Sequence, residues 1–197
     1  MALLTDPLDR VDHRPWPVPN RRWSMRQSWH DLLFAHWPVP AELLQPLVPP
    51  QLQVQEFEGT SWVGVVPFRM SGVAPRGVPD VPWLSAFEEL NLRIYVKHRT
   101  EGKPGVWFFS LDAANPIAVQ VARTGFHLPY YWAKMQLKDD GEVIEYDSVR
   151  KQGGFGFRGQ YQANGGVYTA KSGDLDHWLT ERYCLYAQSK RGRLYRG

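Results

Sequence analysis

Apolar and polar residues alternate most strictly over residues 89–96. Leu90, Leu92, Ile94 and Val96 fall on one face of an extended strand, and Glu89, Asn91, Arg93 and Tyr95 on the other. The run that follows, GVWFFSLD (105–112), is evenly apolar, as a strand covered on both faces should be. Upstream, residues 23–37 (WSMRQSWHDLLFAHW) have the aromatic density of a strand, ended by Pro38 and Pro40. PAELLQPLVP then predicts a short helix that begins near Pro40 and stops at Pro46. LQVQEF (52–57) and SWVGVVPF (61–68) predict a hairpin through Glu58-Gly59, with Pro67 at the end of its second strand. Residues 71–85 show no period and read as a Pro/Gly loop.

Downstream, Asn115 caps and Pro116 opens a helix over Ile117–Arg123, which Gly125 closes. YYWAKMQL (130–137) is a strand, and Asp140-Gly141 turns it into EVIEYDSVR (142–150). FGFRGQYQ and GVYTA form a weaker pair around Asn164-Gly165. Ser172–Tyr183 reads as one helix with Leu175, Trp178 and Leu179 inward, followed by a hairpin of CLYAQ and RLYR around Arg191-Gly192. The expected fold class is α+β, mainly antiparallel β, with two or three short helices and a closed or sharply curved sheet. Residues 1–22, with Pro7, Pro15, Pro17 and Pro19, form an extended N-terminal arm held by Trp16, and residues 23–197 a single domain.

Composition narrows the function classes. A chain of 197 residues supports one core. Nine Trp, nine Tyr and nine Phe suit a large β core. The net charge of +3 is scattered apart from Lys190, Arg191, Arg193 and Arg196, so no nucleic-acid partner is expected. No run nears the roughly 18 apolar residues of a membrane helix. A start unlike a signal peptide and a single cysteine, Cys184, favour the cytoplasm. The six histidines lack zinc-ligand spacing, and GGFGFRG does not stand between a strand and a helix, so neither metal nor cofactor is expected. Ser110 and Asp112 share a strand face, but no histidine stands in a recognisable nucleophile arrangement with them.

Six ordered runs carry a resemblance: RQSWHDLLFAHWPVP, FEGTSWVGVVPFRM, FEELNLRIYV, GVWFFSLDAANPIAV, ARTGFHLPYYWAKM and LTERYCLY. Together they resemble the YqjF-like family of uncharacterised conserved bacterial proteins over residues 26–187. More remotely, NPIAVQVARTGFHLPYYWAKM is similar to the acetoacetate decarboxylases, which implies a cone-shaped antiparallel barrel with an internal cavity. In that comparison Tyr130 and Tyr131 stand where the decarboxylases have a lysine pair. A phenol cannot form an iminium with a ketone, so Schiff-base chemistry is not expected there. Lys134 lies on the same strand face as Tyr130 but about 13 Å along it, beyond the reach of its stem. The resemblance matches Glu89 to a cavity glutamate and Arg123 to the arginine after the Asn-Pro helix. YqjF-like chains usually continue past the last hairpin. This chain is then either a naturally short version or one that lacks the C-terminal strand; a missing strand would leave an edge that a second copy could cover, making a homo-oligomer.

The candidate site follows. Glu89 and Tyr130 are the catalytic candidates. Asn91, Arg93, Arg123 and His127 are the candidates for contacting a small-molecule ligand. Each has a plainer alternative. Glu89, Asn91 and Arg93 fit a solvated strand face equally well, Arg123 suits a helix C-terminus, and Tyr130 suits a packed aromatic. Two functions stay open: acid/base, lyase-type chemistry on a small carboxylate or carbonyl compound, or a non-catalytic binding, structural or interaction role.

Overall fold

The computed structural model describes residues 11–20, 22–79 and 81–197, apart from the side chains of 82 and 83. Residues 1–10 and 21 of the expected arm lie outside that range. In its described part, Arg14 stacks on Tyr183 at 3.7 Å and Lys103 lies 5.8 Å from the Trp16 ring.

Among the described residues, eleven strands form one mixed, mainly antiparallel sheet: β1 (Met25–His30), β2 (Ala35–Val39), β3 (Leu52–Val54), β4 (Ser61–Pro75), β5 (Phe87–His98), β6 (Pro104–Ala113), β7 (Tyr130–Asp139), β8 (Ile144–Arg150), β9 (Gly156–Tyr161), β10 (Leu185–Gln188) and β11 (Leu194–Arg196). The helices are α1 (Ala41–Leu44), α2 (Pro82–Ser85), α3 (Pro116–Gly125) and α4 (Leu175–Thr180), with a 3-10 turn at Gln45–Leu47. The main path is β1-β4-β5-β6-β7-β8-β9. Among the described strands, only β6–β7 and β6–β10 pair in parallel. No described helix is long and apolar enough to cross a membrane.

Several local expectations change. Residues 23–37 are two strands, because the chain bends at Asp31, whose φ is 55°. Both strands pair antiparallel with β4, β2 along its first part and β1 along its last. Pro67 lies inside β4 rather than at its end. It falls in the gap between those two partners, where no ladder N–H is required, and its carbonyl accepts from the Leu33 N–H at 3.2 Å.

β4 also takes in residues 71–75, which shortens the expected loop, and α2 occupies its far end. The Glu58-Gly59 turn forms, closed by the Phe57 N–H to the Thr60 carbonyl at 2.8 Å. Its strands do not pair with each other, however; β3 pairs with β5. β9 pairs with β8, and residues 166–170 form no strand. The expected helix over 172–183 contracts to α4. α3 runs through Gly125, and the left-handed residue that follows is His127, with φ 55°.

The sheet curves back on itself. Tyr146 of β8 donates its hydroxyl to the carbonyls of Glu89 at 2.8 Å and Phe68 at 3.2 Å, three and four strands away along the path. Tyr161 of β9 donates to the Asp31 carbonyl beside β1 at 2.6 Å. Side chains bridge these ends; among the described residues β1 and β9 share no ladder, so the cone stays open there.

Both faces of β5 are covered, so neither is the solvated face that alternation allows. Glu89 is 4% exposed, Asn91 2%, Arg93 6% and Tyr95 0%. The face of Ile94 and Val96 packs against Leu44, Leu52, Val54, Cys184 and Tyr186. The opposite face divides in two. One part gathers Val66, Phe68, Ala113 and Val119 of α3; the other gathers Tyr95, Val106 and Leu179 of α4.

Candidate functional site

The Glu89 end of β5 is built by the β6–α3–β7 crossover. Asn115 accepts at its side-chain oxygen from the N–H groups of Ile117 at 3.0 Å and Ala118 at 3.1 Å, which fixes where α3 starts. At the other end of α3, Arg123 Nε donates to the Tyr130 carbonyl at 2.6 Å, and His127 turns the chain into Leu128-Pro129. Tyr130 then opens β7 beside Leu111 of β6. Its hydroxyl donates to Glu89 Oε2 at 2.8 Å.

Electrostatics at this pair follow from its surroundings. Burial raises the Glu89 carboxyl from 4.5 to about 8, against the lowering effect of the Tyr130 hydrogen bond, and Asp112 adds to the rise. Burial, and then the Glu89 carboxyl itself, push the Tyr130 phenol far above its ordinary range. Near neutral pH, Glu89 therefore keeps its proton. An acid poised in this way can deliver a proton to a substrate oxygen, and its carboxylate form, reached as pH rises through about 8, can take one from carbon.

Asn91 shares the Glu89 face, two residues on, and its buried Oδ1 has no hydrogen-bond partner. Arg93 lies further along the same face, in the part covered by α4. Arg123 is exposed; it meets the Tyr130 carbonyl and the Tyr131 ring, not the Glu89 carboxyl. The His127 ring packs 4.9 Å from Tyr195 and borders a separate groove of about 270 Å³ with Trp107, Phe109 and Tyr186. Lys134 is exposed. The six candidates thus do not form one cluster: Glu89 and Tyr130 touch, Asn91 is on their face, and Arg93, Arg123 and His127 lie elsewhere.

Two groupings escaped the sequence. Asp112 pairs with Leu90, which puts it on the sheet face opposite Glu89. There Arg150 of β8 holds it, with Nε 2.9 Å from both carboxylate oxygens and Nη2 2.8 Å from Oδ1. Burial raises the Asp112 carboxyl, opposed by Arg150. Arg150 was one charge in a hairpin strand, with no signal for its partner. The second grouping joins Arg93 and Tyr95 to His36 and Arg182, from three distant stretches of chain. Among the described residues, no three His, Cys, Asp or Glu side chains are placed to hold a metal ion.

Comparisons with known proteins bear on this geometry. The model of the DUF2071 family, described as an uncharacterised conserved protein, matches residues 26–197. The uncharacterised protein YqjF of Bacillus subtilis (strain 168) is 44% identical over 188 residues, which is 95% of this chain and 76% of that one. Among solved structures, the acetoacetate decarboxylase of Legionella pneumophila superposes with a TM-score of 0.62 at 14% identity, over 98% of this chain and 74% of that one. An acetoacetate decarboxylase-like enzyme from Sphingomonas wittichii RW1 gives 0.57 at 15% identity, over 93% and 76%. The enduracididine biosynthesis enzyme MppR, complexed with the condensation product of pyruvate and imidazole 4-carboxaldehyde, gives 0.60 at 8% identity, over 89% and 69%. At these identities the structural likeness establishes the fold alone.

Proposed function

Given that the chain belongs to the DUF2071 family of uncharacterised conserved proteins and has an acetoacetate decarboxylase-like fold, we propose that it binds and transforms a small carboxylate or carbonyl compound at Glu89. Glu89 serves as the acid/base. Tyr130 orients it through its hydroxyl, and Asn91 offers the unpartnered acceptor. No lysine takes part: Tyr130 and Tyr131 stand where the Schiff-base pair stands in the decarboxylases.

The observation that carries this reading is the 2.8 Å hydrogen bond between the Tyr130 hydroxyl and Glu89 in apolar surroundings, with the carboxyl raised to about 8. Replacing Glu89 with Gln abolishes turnover of any substrate found and leaves the fold intact; unchanged turnover refutes the role. Borohydride reduction in the presence of acetoacetate yields no adduct, and an adduct on any lysine refutes the lysine-free reading.

A second reading, non-catalytic binding, draws on the fact that Tyr130 and Glu89 already satisfy each other. Native mass spectrometry of the purified protein addresses it. A co-purified small molecule that survives unchanged supports it, and an empty protein counts against it.

A further inference from the structure

We propose that the other end of β5 holds a second site, in which Arg93 and Arg182 together take the carboxylate of a small organic acid with a planar apolar body. This site is independent of the Glu89–Tyr130 pair. Arg93 lies about 13 Å along the strand from Glu89, beneath α4 rather than α3.

Both guanidinium groups flank one ring: the Arg93 and Arg182 Cζ atoms lie 5.5 Å and 5.2 Å from the centroid of Tyr95. Neither forms an ion pair with a described carboxylate. The nearby acids are engaged elsewhere: Asp176 accepts from the Tyr168 hydroxyl at 2.6 Å, and Glu181 meets Tyr183 and His13. Cations withdrawn from water without counter-charge are costly, and two near one ring more so. The strain is visible at Arg182, lowered to about 10 by burial, against the opposing influence of Tyr95, with Arg93 lowering it further.

Each guanidinium is held so that one buried nitrogen is left without a partner. Arg182 donates Nε to the Trp178 carbonyl and Nη1 to Gln55 Oε1, each at 2.7 Å, and its buried Nη2 has no partner. Arg93 donates Nη2 to the Tyr95 hydroxyl at 3.2 Å and approaches the Leu179 carbonyl at 3.5 Å, while its buried Nε has none. Two partnerless nitrogens, one on each arginine, match the two oxygens of a carboxylate; a phosphate would ask for more.

Aromatic rings supply the walls. Arg93 Cζ stands 4.9 Å over Phe34, Tyr95 and Trp178 lie 5.0 Å apart, and Phe57 closes on Trp178 at 5.8 Å. Phe34 reaches the surface at 36% exposure. His36 stays neutral here: burial and then Arg93 lower it to about 4. Its Nε2, 2.6 Å from the Tyr95 hydroxyl, then accepts that proton and leaves the phenol oxygen free to accept from Arg93.

Calorimetric titration with sodium benzoate, sodium acetate and sodium phosphate at constant ionic strength tests the site. Benzoate binds saturably, about tenfold or more tighter than phosphate. Arg182→Gln weakens benzoate by about tenfold or more, while Glu89→Gln leaves it unchanged, which separates this site from the proposed catalytic one. No saturable benzoate binding, equal binding by phosphate, or undiminished binding by Arg182→Gln overturns the proposal. If Arg182→Gln does not fold, arginine Nε–H NMR of the native protein decides. Benzoate shifts the Arg93 and Arg182 resonances, and unmoved resonances overturn the assignment.

Discussion

Glu89 and Arg93 share one face of β5 yet meet different coverings. Glu89 accepts from Tyr130 in the cluster capped by α3, whereas Arg93 reaches the α4 carbonyl of Leu179. One strand thus presents an acid and a cation in two separate settings, and each can be perturbed without the other.

The Glu89 carboxyl makes stability depend on pH. Its folded-state value, about 8, lies above the 4.5 of the ordinary group, so between these values the folded chain holds the extra proton. The stabilisation is full below about 4.5 and is lost as pH rises through 8. Calorimetry of the native protein therefore shows the melting temperature falling from pH 5 to pH 8. Glu89→Gln, which keeps a neutral side chain, flattens that slope. An equally steep slope in the variant rejects the assignment.

Tyr130→Phe removes the one hydrogen bond that favours ionised Glu89. The carboxyl then titrates above its native value, readable from its 13C resonance across pH. The lost bond costs about 1 kcal/mol, and turnover falls with it. A Glu89 titration that moves down contradicts the pairing.

Asp112→Asn leaves Arg150 half-enclosed without its counter-charge. Breaking such a pair from one side costs about 3 kcal/mol, read by urea unfolding. Replacing Asp112 and Arg150 together with Leu and Met costs less than the single change. A single variant as stable as the native protein means the pair contributes nothing.

Gly64→Ala adds a Cβ that would stand 2.9 Å from His36 Nε2 and 3.4 Å from Arg93 Cγ. The ring must shift, and its bond to Tyr95 weakens. Overpacking of this kind costs about 1–3 kcal/mol. Denaturant unfolding checks the cost, and the His36 imidazole resonances check its cause.

The legible parts of the chain were those set by local chemistry. Asn115-Pro116 announced α3, Asp140-Gly141 announced the β7–β8 turn, and the alternation at 89–96 announced β5. Alternation could not say that both faces of β5 would be covered, because α3 and α4 come from distant sequence. Pro67 misled for a similar reason: a proline is tolerated mid-strand only where the neighbouring strand is absent, and the Asp31 bend creates that gap. The resemblance to the decarboxylases, at a cavity glutamate and at the lysine position, drew attention to Glu89 and Tyr130, which do touch. Arg182 has Gln55, Tyr95 and Trp178 as its neighbours, which no local pattern joins.

Leu44 and Leu52 pack in the same cluster as Cys184 and Tyr186, the latter on the strand that lies parallel to β6. A ribosome that has finished the first two must still make everything up to Tyr186 before that apolar surface is sealed. Nascent chains halted short of that point carry it open, as a surface that chaperones would hold.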